Sequence, residues 1–139
     1  MTGRRIFIFA NGDLYDHDFY RRQINREDRI VCADGGLHHV LAMGLQPFAV
    51  VGDSDSLDPA VRRQLEHCPL QWIRNLVIEQ EQSDLEMALR YALELEPTEI
   101  ILCGTLGGTR IDHALGNIFL LAIPLREGVP ARIIDESRT

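Results

Sequence analysis

The sequence contains no lysine, and each of its 14 basic residues is an arginine. A Walker A phosphate loop and catalysis through a Schiff base both require a lysine side chain, so the sequence excludes both. If the chain binds phosphate groups, then arginine side chains, backbone N–H groups or a metal ion must hold them.

Cysteine pairs and long apolar segments are also missing. Cys32, Cys68 and Cys103 lie far apart with no Cys-x-x-Cys pair, which argues against a metal site with cysteine ligands and against a disulfide framework. Cys32 and Cys103 lie in apolar segments and are expected to be small buried side chains. No segment approaches the roughly 18 apolar residues of a membrane-spanning helix, and the N-terminus lacks a signal peptide. We therefore expect a cytoplasmic protein without membrane contact.

The size and charge of the chain limit its possible functions further. With 139 residues, of which 45% are hydrophobic and 25% charged, residues 1–139 are predicted to form one soluble domain. The formal net charge of -7 argues against binding to nucleic acid, which requires excess positive charge. A small anionic substrate is compatible with this charge if arginines and metal ions offset the repulsion.

Short apolar segments alternate along the chain with segments of helical periodicity. Strands are predicted at Arg5–Ala10, Arg29–Ala33, Phe48–Val51, Gln71–Asn75, Glu99–Cys103 and Ala131–Ile134. Helices are predicted at about Asp16–Ile24, Leu37–Met43, Asp58–His67, Ser83–Leu95 and Asp112–Ile123. This alternation, with strands that are apolar throughout, predicts an α/β fold: a three-layer αβα arrangement with a mainly parallel, Rossmann-like sheet of about six strands.

Three of the predicted strands run into polar loops that contain glycine. These loops are Asp34-Gly35-Gly36, Gly52-Asp53-Ser54-Asp55-Ser56, and the segment from Gly104 to Arg110. In an open α/β sheet, ligands bind outside the carboxyl ends of the strands, so the three loops are expected to converge at one edge.

Two carboxylates, Asp53 and Asp55, follow the third strand with one residue between them. Carboxylate oxygens at this spacing favour a hard cation such as Mg²⁺, although a solubilising turn has the same composition. Asp84 begins the clearest helix and is a candidate third ligand. The alternative is that Ser83 caps the helix and Asp84 only complements the helix dipole.

The Gly-rich segment after the fifth strand ends at the start of a predicted helix. Backbone N–H groups in such a segment can approach phosphate oxygens, and Arg110 would supply positive charge. The alternative is a plain strand-to-helix connection in which Asp112 caps the helix and His113 has a structural role. Asn117 lies on the same helical face as His113. Likewise, Asp34-Gly35-Gly36 is either a nucleotide contact or only a tight turn.

Taken together, these motifs closely resemble the catalytic domain of the thiamine pyrophosphokinase family. The family's ADGG motif is matched by Ala33–Gly36 and its GDxDS motif by Gly52–Ser56. Its TD pair at a helix start corresponds to Ser83-Asp84, and its element G-R-x-D-H-x-x-x-N corresponds to Gly108–Asn117. Each motif alone is weak evidence, but four in the same order over nearly the whole chain are highly specific.

The resemblance implies Mg²⁺-dependent transfer of a pyrophosphoryl group from ATP to thiamine, which gives thiamine diphosphate and AMP. It assigns the metal to Asp53, Asp55 and Asp84, and it adds Arg110 and Asp112 to the catalytic residues. ATP would be bound by Asn11, Gly12, Asp34, Gly35, Gly36, Ser83, Arg110, His113 and Asn117. Either Asp84 or Asp55 is a candidate to accept the hydroxyl proton. A homodimer is expected, as in the family.

The sequence also departs from the family pattern. Thr109 is inserted before Arg110, and Met87 stands where a lysine is common. Family members carry a second, all-β domain that helps to form the thiamine pocket, and this sequence ends at Thr139. Two alternatives follow: a nucleotide-binding module that has lost catalysis, or a phosphotransferase that acts on another small molecule.

Overall fold

The computed structural model describes residues 4–10, 14–33, 35–52, 59–60, 63, 71–73, 84–104 and 121–134. The strands in these ranges are β1 (Arg5–Phe9), β2 (Arg29–Ala33), β3 (Ala49–Val51), β4 (Gln71–Ile73), β5 (Glu99–Cys103) and β6 (Ala131–Ile134). The described helices with complete bounds are α1 (His17–Gln23), α2 (Gly36–Ala42), α3 (Asp84–Glu94) and α4 (Ala122–Arg126).

The strands form one sheet of six in the order β4-β3-β2-β1-β5-β6. All five pairings between neighbouring strands are parallel. The strand order reverses direction between β1 and β5, as in doubly wound folds. The predicted α/β fold with a mainly parallel sheet is therefore confirmed.

Side chains alternate between the two faces of the sheet along each strand. Both faces carry apolar residues, and each is buried in its own cluster. Ile6 and Ile8 of β1 lie in a cluster with Leu85, Ala88 and Leu89 of α3. Phe7 and Phe9, on the opposite face, lie in a second cluster whose other members include Tyr20 of α1 and Leu37 and Val40 of α2. This arrangement gives the predicted three layers.

The sequence did not predict the short helix α4. The helix predicted to end near Ile123 falls largely outside the described residues, but α4 covers Ala122–Arg126. Pro124 is tolerated there because it lies in the first turn, where the missing backbone N–H would have no acceptor in the helix. Gly128 then leaves the helix with φ of 74°, a conformation that glycine adopts without steric cost. No helix of the described residues is long and apolar enough to cross a membrane.

An ion pair between Arg5 and Asp28 joins the amino ends of β1 and β2. Arg5 donates from Nε to Asp28 Oδ1 at 3.1 Å and from Nη2 to Oδ2 at 2.7 Å. Asp28 Oδ2 also accepts from the backbone N–H of Asn25 at 2.7 Å. The side chain of Asp28 is 5% exposed, so these donors replace the water that would otherwise solvate its charge. The hydrogen bond between Arg5 and Asp28 raises the pKa of Arg5 above the ordinary value.

Replacing Asp28 by asparagine should lower the free energy of unfolding by about 2–3 kcal/mol, because Arg5 loses its buried counter-charge. The measurement is urea unfolding at neutral pH. The control is Asp18→Asn, which removes an exposed partner 3.6 Å from Arg21 and should change stability by less than about 1 kcal/mol. Equal losses in the two variants would contradict a structural role for the Arg5–Asp28 pair.

The thiols of Cys32 and Cys103 are buried in the core. Burial raises the pKa of Cys32 and of Cys103 above the ordinary value, because the thiolate would lose its hydration. Both thiols therefore stay protonated in the folded protein, whereas in the unfolded chain they ionise above about pH 8.5.

The stability that each buried thiol contributes is fully present below about pH 8.5 and is lost as the pH rises further. The free energy of unfolding should fall by about 1.4 kcal/mol per pH unit for each thiol. The measurement is the free energy of unfolding at a series of pH values from 8.5 to 10. Its decrease per pH unit should be smaller by this amount in Cys32→Ala than in the unmodified chain. Identical slopes would show that Cys32 ionises equally well in the folded state.

Candidate functional site

The carboxyl ends of four neighbouring strands meet at one edge of the sheet. In the strand register, Phe9 is opposite both Cys32 and Cys103, and Ala33 is opposite Val51. The predicted site segments follow these residues directly, and the strand order reverses between β1 and β5 at this edge. Open α/β sheets bind their ligands at this kind of reversal point.

The backbone beyond β1 and β5 is held in a defined position. The N–H of Ala10 donates to the carbonyl of Cys103 at 2.8 Å, which extends the contact between the two strands by one residue. Gly104 follows with φ of 75°, in the left-handed region that favours glycine. The described chain beyond β1 and the described chain beyond β5 therefore lie side by side at the reversal point.

Gly36 brings the start of α2 against the end of β1. A Cβ atom built on Gly36 would lie 1.9 Å from the carbonyl oxygen of Phe9, far inside van der Waals contact, so the position accepts only glycine without a shift of the backbone. Gly35 is the cap residue of this helix, and the N–H of His38 donates to the Gly35 carbonyl at 3.1 Å. The short segment from Ala33 to Gly36 thus crosses from the end of β2 to the end of β1.

The third strand reaches the same edge through a glycine. Gly52 follows β3 with φ of 144°, which only glycine adopts readily. The residue after it is Asp53, the first of the predicted carboxylate ligands. The positive φ explains why a glycine precedes the acidic segment.

Asp84 lies at this edge because of the direction of α3. The helix packs its buried residues Leu85, Ala88, Leu89 and Ala92 against the sheet. Shortly after the helix ends, the N–H of Thr98 donates to the carbonyl of Arg4, just before β1. Since α3 ends near the amino end of the sheet, it runs antiparallel to the strands, and its first residue lies toward their carboxyl ends.

The structure describes three of the predicted site residues, namely Gly35, Gly36 and Asp84. The others lie outside the described residues: Asn11, Gly12, Asp34, Asp53, Asp55, Ser83, Arg110, Asp112, His113 and Asn117. Within the described part of the chain, no group of three or more His, Cys, Asp or Glu residues is arranged to hold a metal ion. The assignment of these residues to metal and nucleotide therefore stays a prediction.

The structure also brings together two histidines to which the sequence assigned no chemistry. The ring of His39 in α2 lies edge-on to the ring of His17 in α1, with 5.9 Å between the centroids. His39 is only partly exposed. The contact joins two helices that are separate in sequence, so no local pattern indicated it.

Comparison with known proteins identifies the family of this chain. Residues 20–133 match the family model described as thiamin pyrophosphokinase, catalytic domain. A curated relative, thiamine pyrophosphokinase of Bacillus subtilis (strain 168), is 37% identical over 103 residues, which cover 74% of this chain and 47% of the relative. The chain thus spans about half the length of this relative.

Solved structures agree with the sequence match. The crystal structure of thiamine pyrophosphokinase from Bacillus subtilis superposes with a TM-score of 0.80 at 32% identity, covering 95% of this chain and 61% of that one. The thiamin pyrophosphokinase from Geobacillus thermodenitrificans gives a TM-score of 0.73 at 31% identity, with coverages of 94% and 59%. The match of the family model over most of the chain, supported by these structures of the same fold, shows that the chain belongs to the thiamin pyrophosphokinase catalytic-domain family.

Proposed function

We propose that this chain is the catalytic domain of a Mg²⁺-dependent transferase that moves a pyrophosphoryl group from ATP to thiamine. The observation that carries the proposal is the convergence of strand ends at one edge, where the segments containing Asp34, Asp53 and the start of α3 all begin. Membership of the family, whose relatives are thiamine pyrophosphokinases, supports the choice of reaction.

The donor set fits magnesium. Asp53, Asp55 and Asp84 offer only carboxylate oxygens, which Mg²⁺ prefers, and it commonly shares such ligands with substrate phosphates. When bound, the ion would neutralise charge on the phosphate oxygens. The chain has no lysine, so Arg110 is the proposed cationic side chain for the same task.

ATP is proposed to bind at the reversal point between β1 and β5. Asn11, Gly12, Asp34 and Gly35 would contact it from one side, with Ser83, Arg110, His113 and Asn117 as further contacts. Gly36 supports this arrangement indirectly, because its close approach to Phe9 positions Gly35 and the start of α2 against the end of β1. A larger residue at position 36 would push α2, and with it this segment, away from β1.

In the proposed reaction, the hydroxyl oxygen of thiamine forms a bond to the β-phosphorus of ATP. The bond from that phosphorus to the oxygen shared with the α-phosphorus breaks, and AMP leaves with this oxygen. The hydroxyl proton passes to a carboxylate, for which Asp84 and Asp55 are the candidates. Asp112 is proposed to belong to the same polar cluster. Such transfer depends mainly on positioning and on charge neutralisation.

The acceptor and the assembly are further parts of the proposal. We take residues 1–139 as one catalytic domain, acting in the cytoplasm as a homodimer. A nucleotide-binding module without catalysis and a phosphotransferase with another acceptor are the competing functions. Binding of ATP without turnover would indicate the first, and release of ADP in place of AMP would indicate a different phosphoryl transfer.

The central test is AMP formation from Mg²⁺-ATP with and without thiamine. We expect thiamine-dependent AMP, its loss when a chelator removes Mg²⁺, and its recovery when excess Mg²⁺ is restored. Asp53→Asn should lower kcat/KM by at least about 100-fold, because a metal ligand is lost. Asp18→Asn, which removes an exposed carboxylate from α1, should retain activity. Full activity in Asp53→Asn, or equal loss in both variants, would contradict the proposed metal site.

The role of Gly36 gives a second test. Gly36→Ala should lower the free energy of unfolding by about 1–3 kcal/mol through overpacking and should weaken ATP binding measured by calorimetry. The matched control is Gly44→Ala at the far end of α2: its φ is 73° but no atom lies within 4 Å of the added Cβ. That variant should lose stability by roughly 1 kcal/mol and bind ATP normally. Unchanged ATP affinity in folded Gly36→Ala would contradict the positioning role.

A further inference from the structure

A groove of about 260 Å³ lies at the edge of the sheet opposite the candidate site. It is formed around the amino ends of β2 and β3 and the residue before β1. Its polar lining residues are Arg4, Asp28, Arg29 and Gln46, and Phe48 contributes an aromatic wall. Four residue steps along β2, roughly 13 Å, separate Arg29 from Ala33 at the carboxyl edge, so the groove is distinct from the proposed nucleotide site.

The negative charge of Asp28 is already neutralised. Both of its carboxylate oxygens accept from Arg5, and one also accepts from the N–H of Asn25. Asp28 is 5% exposed. Within the described residues it forms no ion pair with Arg4 or Arg29, the two arginines that line the groove. Arg4 and Arg29 therefore leave net positive charge in the groove, although the whole chain carries -7.

The guanidinium group of Arg29 lies over the ring of Phe48. Its guanidinium carbon lies 4.3 Å from the centroid of the Phe48 ring, a cation–π contact that does not itself use the guanidinium N–H donors. The backbone around it is also restrained, because the N–H of Phe48 donates to the carbonyl of Ile30 at 2.8 Å. An arginine that is already ordered loses less entropy when it binds an anion.

No carboxylate in the described part of the chain pairs with Arg4 or Arg29. Glu94 and Glu96 lie near the end of α3, and both are exposed and make no ion pair with either arginine. The backbone carbonyl of Arg4 accepts from Thr98 at 3.0 Å, which restrains the backbone of Arg4 beside the groove. Arg4 and Arg29 therefore give the groove two charged donors that form no ion pair with a carboxylate of the described residues, and the amide NH₂ of Gln46 is a further donor.

We propose that this groove binds a small oxyanion, a phosphate or a carboxylate, through Arg29 and Arg4. Arg29 supplies the oriented pair of N–H donors that matches two oxygens of such an anion. Arg4, the residue before the neighbouring strand β1, adds a second charge. With about 260 Å³, the groove has room for an inorganic phosphate ion or a small organic acid.

The test is an NMR titration of the ¹⁵N-labelled chain with inorganic phosphate, and separately with acetate, against sodium chloride at matched ionic strength. The proposal predicts saturable shifts at the Arg29 side chain and at the amides of Ile30 and Phe48. The amides of Gly35 and Gly104 report separately on any binding at the carboxyl edge. Saturation with phosphate alone identifies a phosphate ligand, and saturation with acetate alone identifies a carboxylate. Shifts near Arg29 that never saturate, or that chloride reproduces, would overturn the proposal.

Charge-removing variants make the test specific. Arg29→Gln should weaken anion binding about tenfold or more, because an oriented charge-assisted pair of hydrogen bonds is lost. Arg29→Lys keeps the charge without the planar pair of donors and should have an intermediate effect, and it also guards against misfolding of the glutamine variant. The matched control is Arg126→Gln, which removes one exposed arginine from α4. Equal weakening in Arg126→Gln would mean that only the overall charge matters and would refute the site.

Discussion

The structure depends on the parallel hydrogen-bonded pairing of β1 with β2 on one side and β5 on the other. Phe7, Ile8 and Phe9 are completely buried in this strand, so its position is fixed from both faces. The carboxyl end of β1 is where Gly36 approaches, where Ala10 contacts Cys103, and where the strand order reverses. Each segment of the candidate site is therefore positioned relative to this one strand.

Three arginines lie at the amino edge of the sheet: Arg4 precedes β1, and Arg5 and Arg29 begin β1 and β2. One of these arginines stabilises the fold through Asp28, and the other two line a groove. Because arginine keeps its charge and binds carboxylates or phosphates with two donors, a chain without lysine can use it for both tasks.

The strands and α3 were predicted well because their signals are local. β2, β5 and β6 have the predicted bounds, and α3 begins one residue after and ends one residue before its predicted limits. Short apolar segments and a clear helical period are patterns of neighbouring residues, so they can be recognised without knowing the tertiary structure. The short helix at Ala122–Arg126 was not predicted, although a proline such as Pro124 in the first turn is compatible with a helix.

The sequence by itself determined the fold class, the family resemblance and the residues expected to meet at the carboxyl edge, since strand alternation and motif spacing depend on near neighbours in the chain. Only the tertiary structure decided the strand order, the need for glycine at position 36, and the pairing of Arg5 with Asp28. It also decided that Arg29 stacks on Phe48 beside a groove. These features are contacts between segments far apart in sequence, and such contacts form only when the layers pack together.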